Sequence, residues 1–300
     1  MPSYVYFRKK IIPLEQAKVG VMTHSLHYGT GAFEGIRGNW NAGRKQIYLF
    51  RLKEHYERLL RGCKILRIDL PYSVDDLIKI TVDVVRKCNF KEDIYVRPLA
   101  YKSEETTGVR LHNLEADFLV YAFPWGKYID ADKARVAVSS WRFPKEIPRA
   151  KLTGFYITNA LAKTEAIQNG FDEAIMLNSE GYIAEGSGEN IFLVVDGKLV
   201  TPGSFDGPLM GITRNTVITL AKNELGIETV ERHIDRVELF QAEECFLTGT
   251  AAHITPVCEI DRQKVGNGEI GKITGKLQKL YADVILGKKA AYKDWCTPAY

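Results

Sequence analysis

The sequence predicts an α/β protein made of two unequal domains with mostly antiparallel sheets. Its 300 residues, 45% of them hydrophobic, exceed the usual size of a single core, so two domains are expected. Helical and strand-like segments are interspersed, and most strands come in pairs joined by turns rather than in βαβ units. We predict an N-terminal domain over residues 1–122, a linker over 123–133 that begins at a Phe-Pro-Trp-Gly break, and a C-terminal domain over 134–300.

Two amphipathic helices are predicted in the N-terminal domain. The stretch "LKEHYERLLRGCKIL", residues 52–66, places its apolar side chains on one helical stripe. The stretch "SVDDLIKITVDVVRKC", residues 73–88, follows with Ser73 as its N-cap, because a serine hydroxyl can accept a hydrogen bond from the first helical turn.

The stretch "DIYVRPLAY", residues 93–101, alternates like a β-strand. Tyr95 and Arg97 fall on one face of this strand, since successive side chains point to opposite faces. Pro98 lacks a backbone N–H and therefore indicates a sheet edge or a strand end.

Two further helices are predicted in the C-terminal domain. Residues 153–170, "TGFYITNALAKTEAIQNG", form a helix that Gly170 ends from the C′ position. Residues 211–226, "GITRNTVITLAKNELG", form a second helix with Thr213 as N-cap and Gly226 at its end.

Strand pairs fill the remainder of this domain. Residues 171–186 predict strand–turn–strand, and residues 190–202 predict a hairpin whose Asp196-Gly197 pair suits a type I′ turn. Residues 242–257 predict another strand and a Gly-Thr turn.

Composition excludes several classes of protein. The net charge of +4 comes from 41 basic and 37 acidic residues mixed along the chain, so no nucleic-acid footprint is expected, whereas small anionic ligands are compatible. The five cysteines show no CxxC spacing, and His24 and His27 have no further ligand type nearby, so no metal site is predicted. No apolar run suits a signal peptide or a membrane span. A cytoplasmic protein without a membrane partner is expected.

A lysine and an acidic residue together suggest that the protein binds a cofactor. Lys151 lies between a proline-containing loop and a helix, where a lysine is ordinarily a solvated surface charge, and Lys163 within the helix receives that same interpretation. However, a lysine amine with a lowered pKa forms Schiff bases with aldehydes. Pyridoxal phosphate requires such a lysine, an acid beside its ring nitrogen, and an anion site for its phosphate.

Glu185 could supply the acid. It lies in "YIAEGSGENIFLV", residues 182–194, where Gly186 and Gly188 remove side chains that would obstruct a bound ring. The alternative is a turn carboxylate bonded to its own glycine amides. Three places are candidates for the phosphate: the helix start at residues 211–213, the "TGT" turn at residues 248–250, and Arg58.

Seven stretches in order carry a family resemblance. They are "HYGTGAFEGIR" (27–37), "YVRPL" (95–99), "AFPWG" (122–126), "AKLTGFY" (150–156), "GYIAEGSGENIF" (181–192), "GITR" (211–214) and "LTGTAAHITPV" (247–257). Together they resemble the signatures of branched-chain amino acid aminotransferases, which are fold-type-IV pyridoxal phosphate enzymes. The resemblance implies a small N-terminal α/β domain, a larger C-terminal pseudo-barrel domain, and pyridoxal 5'-phosphate between them.

The resemblance also implies roles for individual residues. Lys151 would form the Schiff base, Glu185 would pair with the ring nitrogen, and Tyr156 would lie beside the cofactor's phenolic oxygen. Leu209 would pack on the ring, and the phosphate would be bound by Arg58, Ile212, Thr213 and Thr250. The substrate-binding residues would be Tyr28, Phe33, Gly35, Arg37, Tyr95, Arg97, Trp125, Tyr128, Thr250 and Ala251. Tyr28 would come from a neighbouring subunit, because the family forms homodimers or larger homo-oligomers.

The implied reaction is transamination between branched-chain L-amino acids (leucine, isoleucine, valine) and 2-oxoglutarate, which yields branched 2-oxo acids and L-glutamate. We hypothesise that Arg97 receives the distal carboxylate of glutamate. Alternatives on the same scaffold are a D-amino acid or (R)-amine aminotransferase, an aminodeoxychorismate lyase, and a catalytically idle cofactor-binding protein. Residues 103–113 depart from the best-known bacterial members at a loop that borders the substrate pocket, so the substrate range stays open.

Overall fold

The protein is described by a computed structural model over residues 3–126, 129, 132–143 and 150–300. These residues group into two compact units. The first unit comprises residues 3–126, 150–155 and 284–300, and the second comprises residues 129, 132–143 and 156–283. The helices and strands of each unit are numbered in chain order along the whole sequence.

The first unit is built on one antiparallel sheet with helices packed against it. Its elements are β1 (Tyr4–Phe7), β2 (Lys10–Pro13), α1 (His24–Tyr28), β3 (Gly31–Phe33), β4 (Ile36–Asn41), β5 (Gln46–Phe50), α2 (Leu52–Ile65), α3 (Val74–Cys88), β6 (Ile94–Lys102), β7 (Ala116–Pro124) and β17 (Cys296–Pro298). The strand order is β17-β5-β4-β6-β7-β1-β2, and β3 pairs with β6 beyond the end of β4.

The two helices predicted for this part of the chain are confirmed. In α2 the buried positions recur at helical spacing, and α2 and α3 share a hydrophobic core with β4–β7. Ser73 caps α3 as predicted: its hydroxyl accepts the N–H of Asp76, and the Asp76 carboxylate accepts the backbone N–H of Ser73. This reciprocal capping box satisfies donors that a helix start otherwise leaves unpaired.

The strand predicted at residues 93–101 is confirmed as β6, but the interpretation of Pro98 as a strand end or sheet edge is wrong. β6 lies inside the sheet, paired with β7 along its whole length. On its other side β3 ends at Phe33 and β4 begins at Ile36, and the Pro98 carbonyl accepts the N–H of Glu34 in this break. In an antiparallel strand a residue's N–H and C=O point to the same side, so the missing donor of Pro98 faces the interruption.

The second unit is built on a mixed sheet. Its elements are β8 (Ala134–Arg142), α4 (Tyr156–Gln168), β9 (Glu173–Leu177), β10 (Ile183–Gly186), β11 (Asn190–Val195), β12 (Lys198–Thr201), α5 (Ile212–Leu225), β13 (Thr229–Glu231), β14 (Glu244–Gly249), β15 (His253–Ile260), β16 (Gln263–Lys264) and most of α6 (Lys272–Ile285). The order is β10-β9-β8-β15-β14-β11-β12-β13, with β16 paired to β15. β8 runs parallel to β9 and β15, and β12 runs parallel to β13.

Most local predictions in the second unit are confirmed. Asp196 and Gly197 both have positive φ between β11 and β12, which the type I′ turn requires. Gly226 ends α5 in the left-handed conformation. The prediction that Thr213 caps α5 is wrong, because the N-cap is Gly211 and Thr213 lies inside the first turn. A threonine two positions inside the helix shows the same sequence signal as a capping threonine.

The predicted mixed α/β class is confirmed, with a largely antiparallel sheet in the first unit and a mixed one in the second. The proposed domain limits stay a prediction. The packing differs from them at two segments, since residues 150–155 and 284–300 pack with the first unit although they follow the linker in sequence. In the part of the chain that the structure describes, no helix has both the length and the hydropathy required to cross a bilayer.

Candidate active site

The segment that carries Lys151 lies along β3 like an additional short strand. The Lys151 carbonyl accepts the Phe33 N–H at 3.0 Å, and Leu152 forms an antiparallel bridge with Ala32. The Thr153 hydroxyl donates to the Gly29 carbonyl at 2.7 Å. These backbone contacts fix where the Lys151 side chain begins.

The Lys151 amine has an environment suited to a nucleophile. Its Nζ lies 4.9 Å from the centroid of the Phe33 ring. Burial lowers the pKa of Lys151, and the positive charges of Arg58 and Arg97 lower it further against the opposing effects of Tyr95 and Glu34. A lowered pKa increases the neutral fraction of the amine near pH 7, and the neutral amine is the form that attacks carbonyl groups.

An aromatic cluster with one arginine adjoins Lys151. The Tyr95 and Trp125 rings lie 4.7 Å apart, and the Arg97 guanidinium lies 5.0 Å from the Phe33 ring and 5.2 Å from the Tyr95 ring. Arg97 Nη2 donates to the Tyr95 hydroxyl at 3.3 Å. Arg97 Nε is buried and has no hydrogen-bond partner among the described residues. This edge of Arg97 could therefore bind an anion.

Gly35 is required by the position of Tyr95. A Cβ at residue 35 would lie 1.8 Å from the Tyr95 hydroxyl oxygen and 2.5 Å from Cζ of the ring. Gly35 lies in the break between β3 and β4, and the Tyr95 ring occupies the space that the side chain of any other residue would fill.

Arg58 is buried in α2 and pairs with the fully buried carboxylate of Glu34 through two hydrogen bonds of 2.6 and 2.8 Å. Glu34 also accepts a hydrogen bond from His55 Nδ1 at 2.7 Å. Arg37, on β4 opposite Tyr95, lies 3.8 Å from the Asp93 carboxylate. Glu34 and His55 were not predicted as site residues, because neither position shows a local sequence signal for this pairing.

Tyr28 contacts the loop at residues 103–113. It is partly exposed at the end of α1, and its hydroxyl accepts the Gly108 N–H at 2.9 Å. The buried ring of His24 bonds the Gly108 carbonyl at 2.8 Å and the Thr30 hydroxyl at 2.9 Å. Both backbone groups of Gly108, within the loop at residues 103–113, are therefore held by α1. Tyr128, another predicted substrate residue, lies outside the described residues.

In the second unit, the Glu185 carboxylate is buried and oriented by two donors. Its Oε2 accepts the Leu209 N–H at 3.0 Å and the Asn190 side-chain amide at 3.1 Å. The same Asn190 amide nitrogen donates to the Leu209 carbonyl at 2.7 Å. Asn190 therefore joins two of the predicted cofactor residues, and its place five residues after Glu185 was the only sequence signal for it.

The start of α5 adjoins this group. A Cβ at Gly211 would lie 2.0 Å from Asn190 Oδ1, so only glycine allows the helix start to approach so closely. Ile212 and Thr213 form the first turn, where backbone N–H groups and the helix dipole favour an anion. Thr250 and Ala251 lie in the turn between β14 and β15, and Tyr156 begins α4.

A largely buried group of charged residues lies near Glu185 in the second unit. Fully buried Glu173 accepts hydrogen bonds from Lys163 Nζ and the Ser187 hydroxyl, each at 2.5 Å. The interpretation of Lys163 as a solvated surface charge is wrong, because its ammonium pairs with this carboxylate. Burial, together with the Glu173 charge, raises the pKa of Glu189 well above its usual range. The Cβ that Gly186 lacks would lie 2.9 Å from the Glu189 carboxylate, so here this glycine makes room for Glu189.

Comparisons with known proteins all point to the same family. The family described as "Amino-transferase class IV" matches residues 31–260. A probable branched-chain-amino-acid aminotransferase of Aquifex aeolicus is 50% identical over 99% of this chain and 97% of its own. The solved branched-chain aminotransferase of Thermoproteus uzoniensis with norvaline is 45% identical, with a TM-score of 0.96 over the full length of both chains. The branched-chain amino acid aminotransferase of Thermobaculum terrenum, solved in its PLP-bound holo-form, is 38% identical with a TM-score of 0.95 over 100% of this chain and 99% of that one. On the combined evidence of motifs, fold and full-length similarity, the chain belongs to the class IV aminotransferases.

Proposed function

We propose that this protein is a pyridoxal phosphate-dependent branched-chain amino acid aminotransferase. It transfers the amino group of leucine, isoleucine or valine to 2-oxoglutarate, forming a branched 2-oxo acid and L-glutamate. The observation that supports this proposal most strongly is the environment of Lys151. Burial lowers the pKa of its amine, and an aromatic cluster lies beside it. Full-length relatives of that name support the substrate class and do not favour the D-amino acid, (R)-amine or lyase alternatives.

The donor set fits the cofactor. In the first unit, Lys151 would hold the aldehyde carbon, and Arg58 would bind the phosphate with charge-assisted hydrogen bonds. In the second unit, the Glu185 carboxylate, already oriented by Leu209 and Asn190, would pair with the protonated ring nitrogen. Gly211 lets the start of α5 approach Asn190 closely, and the backbone N–H groups of that first turn favour an anion.

The remaining cofactor contacts follow the family resemblance. Ile212 and Thr213 would contribute phosphate donors from the first turn of α5, together with Thr250. Leu209 would pack on the ring, and Tyr156 would contact the phenolic oxygen.

When bound, pyridoxal phosphate supplies an aldehyde that condenses with amines and a ring that stabilises negative charge at the substrate Cα. Lys151 Nζ, in its neutral form, would take the proton from that Cα and deliver it to the C4′ carbon of the cofactor. Glu185 would pair with the ring nitrogen and keep that nitrogen protonated. The low pKa of the amine suits it to both steps near neutral pH.

The aromatic cluster would bind the substrate side chain. Phe33, Tyr95 and Trp125 would enclose an isobutyl group, while Gly35 keeps Tyr95 in place. Arg97 would receive the distal carboxylate of glutamate, which its buried Nε supports. The other predicted substrate residues are Tyr28, Arg37, Tyr128, Thr250 and Ala251.

A homo-oligomer is part of the proposal. The segment that precedes Tyr28 exposes Val21 and Leu26 at 80% and 65%. Exposed apolar side chains within one segment favour an interface, and a second copy could present its own Tyr28 there. A dimer in light scattering that Leu26→Glu dissociates would agree with this, whereas a monomeric wild type would contradict it.

A cytoplasmic location is also proposed. It is supported by the five cysteines, all of which are free and buried, as expected for a reducing compartment.

Absorption spectra of single half-reactions test the function. The purified holoenzyme should change spectrum on adding L-leucine, L-isoleucine, L-valine or L-glutamate, and 2-oxoglutarate should restore the starting spectrum. Turnover of D-amino acids or (R)-amines in place of L-amino acids would contradict the specificity. Release of pyruvate from aminodeoxychorismate without an amino acceptor would indicate the lyase, and absence of any spectral change would indicate an idle binding protein.

A further inference from the structure

We propose that Glu34 is a positioning residue for the cofactor's phosphate group: its buried carboxylate fixes the direction in which the Arg58 guanidinium presents its donors. This inference rests on the proposed function, because it takes Arg58 as a ligand of the phosphate. The family resemblance assigned no role to Glu34.

The pairing of the two side chains is side-on. Glu34 Oε1 accepts from Arg58 Nε at 2.6 Å, and Oε2 accepts from Nη2 at 2.8 Å. Two parallel hydrogen bonds fix both the position and the plane of the guanidinium. Since Glu34 binds the Nε edge, the edge formed by Nη1 and Nη2 acquires a defined direction that Glu34 itself does not use.

The strand break that carries Glu34 and the helix α2 together position the Glu34 carboxylate. Residue 34 occupies the break between β3 and β4, where its N–H donates to the Pro98 carbonyl at 3.0 Å. His55 and Arg58 are three residues apart on the buried face of α2, so both reach the same carboxylate. Because a carboxylate only accepts, His55 donates from Nδ1 at 2.7 Å.

The charges make this arrangement distinctive. Burial alone would raise the pKa of Glu34, but Arg58 and His55 hold it well below its usual range, so Glu34 is an anion at neutral pH. Burial lowers the pKa of His55 and keeps its ring neutral. The negative charge of Glu34 beside Arg58 weakens the electrostatic attraction between Arg58 and a phosphate. If Glu34 acted only through its charge, neutralising it would strengthen phosphate binding. If Glu34 positions Arg58, neutralising it weakens phosphate binding.

The test compares pyridoxal phosphate with pyridoxal, which lacks the phosphate. Dissociation constants of both are measured by absorbance on the cofactor-stripped full chain. The ratio of pyridoxal to pyridoxal phosphate constants reports the phosphate contribution alone. Arg58→Lys, which keeps the charge but not the planar fork, should lower this ratio about 10-fold, and Glu34→Gln should lower it about 5- to 50-fold. The double variant should lower this ratio little more than the more damaging single variant does, because both substitutions act on one interaction.

Two further variants complete the design. Glu54→Gln breaks the partly exposed pair between Glu54 on α2 and the N-cap residue Arg51, and should leave the ratio unchanged. Glu34→Asp keeps the buried charge with a shorter reach, should give an intermediate loss, and replaces Glu34→Gln if circular dichroism shows that the latter is unfolded.

The outcomes separate two failures. A ratio that is unchanged or raised by Glu34→Gln, while Arg58→Lys lowers it, overturns the positioning role. If Arg58→Lys also leaves the ratio unchanged, Arg58 does not bind the phosphate and that part of the proposed function fails. Equal losses for pyridoxal and pyridoxal phosphate in Glu34→Gln would indicate a purely structural role and also overturn the proposal.

Discussion

Replacing Lys163 by methionine should destabilise the second unit substantially. The substitution removes the ammonium that lies 2.5 Å from Glu173, whose side chain is fully buried, while the methionine retains most of the apolar length. Breaking a buried ion pair by removing one partner costs about 3–5 kcal/mol, because a charge stays buried without compensation. Since a quarter of the Lys163 side chain is exposed, water can partly replace the ammonium. We therefore expect a loss of roughly 2–4 kcal/mol.

Urea unfolding followed by circular dichroism measures this loss. The matched control is Lys79→Met, which breaks an exposed i,i+4 pair with Asp83 and should change stability by less than about 0.5 kcal/mol. Glu173→Gln should rescue Lys163→Met in part, because a neutral amide can still accept hydrogen bonds from Ser187 and the Ala174 N–H. A Lys163→Met protein within about 0.5 kcal/mol of the wild type, or strictly additive losses in the double variant, would refute this reasoning.

Three other predictions concern the proposed site. Glu185→Gln should retain bound cofactor but lower kcat severely, because the ring nitrogen loses its charge partner; wild-type turnover in that variant would remove Glu185 from the mechanism. Arg97→Ala should impair the glutamate half-reaction far more than the leucine half-reaction in stopped-flow spectra, and equal losses would reject Arg97 as the distal carboxylate ligand. Gly35→Ala should lower the free energy of unfolding by about 1–3 kcal/mol and raise the KM for leucine, because its Cβ would overlap Tyr95. Gly43→Ala, whose Cβ would meet nothing closer than 3.6 Å, is the control, and a similar effect from both alanines would show that the overlap is not the cause.

Local structure followed closely from the sequence where the signal is itself local. Ser73 caps α3 through residues three positions away, and the Asp196-Gly197 turn depends on two adjacent φ values. Two of the errors occurred where a partner outside the local segment decides the structure. Pro98 lies inside a sheet because its neighbouring strand is interrupted, and Lys163 is paired because β9 places Glu173 beside α4. Neither circumstance is visible in a window of ten residues.

The same limit applies to the candidate site. The family resemblance supplied Lys151 and Glu185, and their assignments stay predictions that the structure supports by environment. It did not supply Glu34, His55 or Asn190, whose contacts come from the tertiary arrangement of a strand break, a helix face and a loop. Residue type alone could not distinguish these buried polar groups from ordinary turn or surface residues.

The central claim is that one particular amine carries the cofactor. Borohydride reduction of the holoenzyme, followed by proteolysis and mass spectrometry, should place the reduced pyridoxyl phosphate adduct on the peptide containing Lys151, with loss of the visible absorption band. An adduct on Lys163 or any other lysine, or an unmodified Lys151 in a protein that has bound the cofactor, would contradict the account.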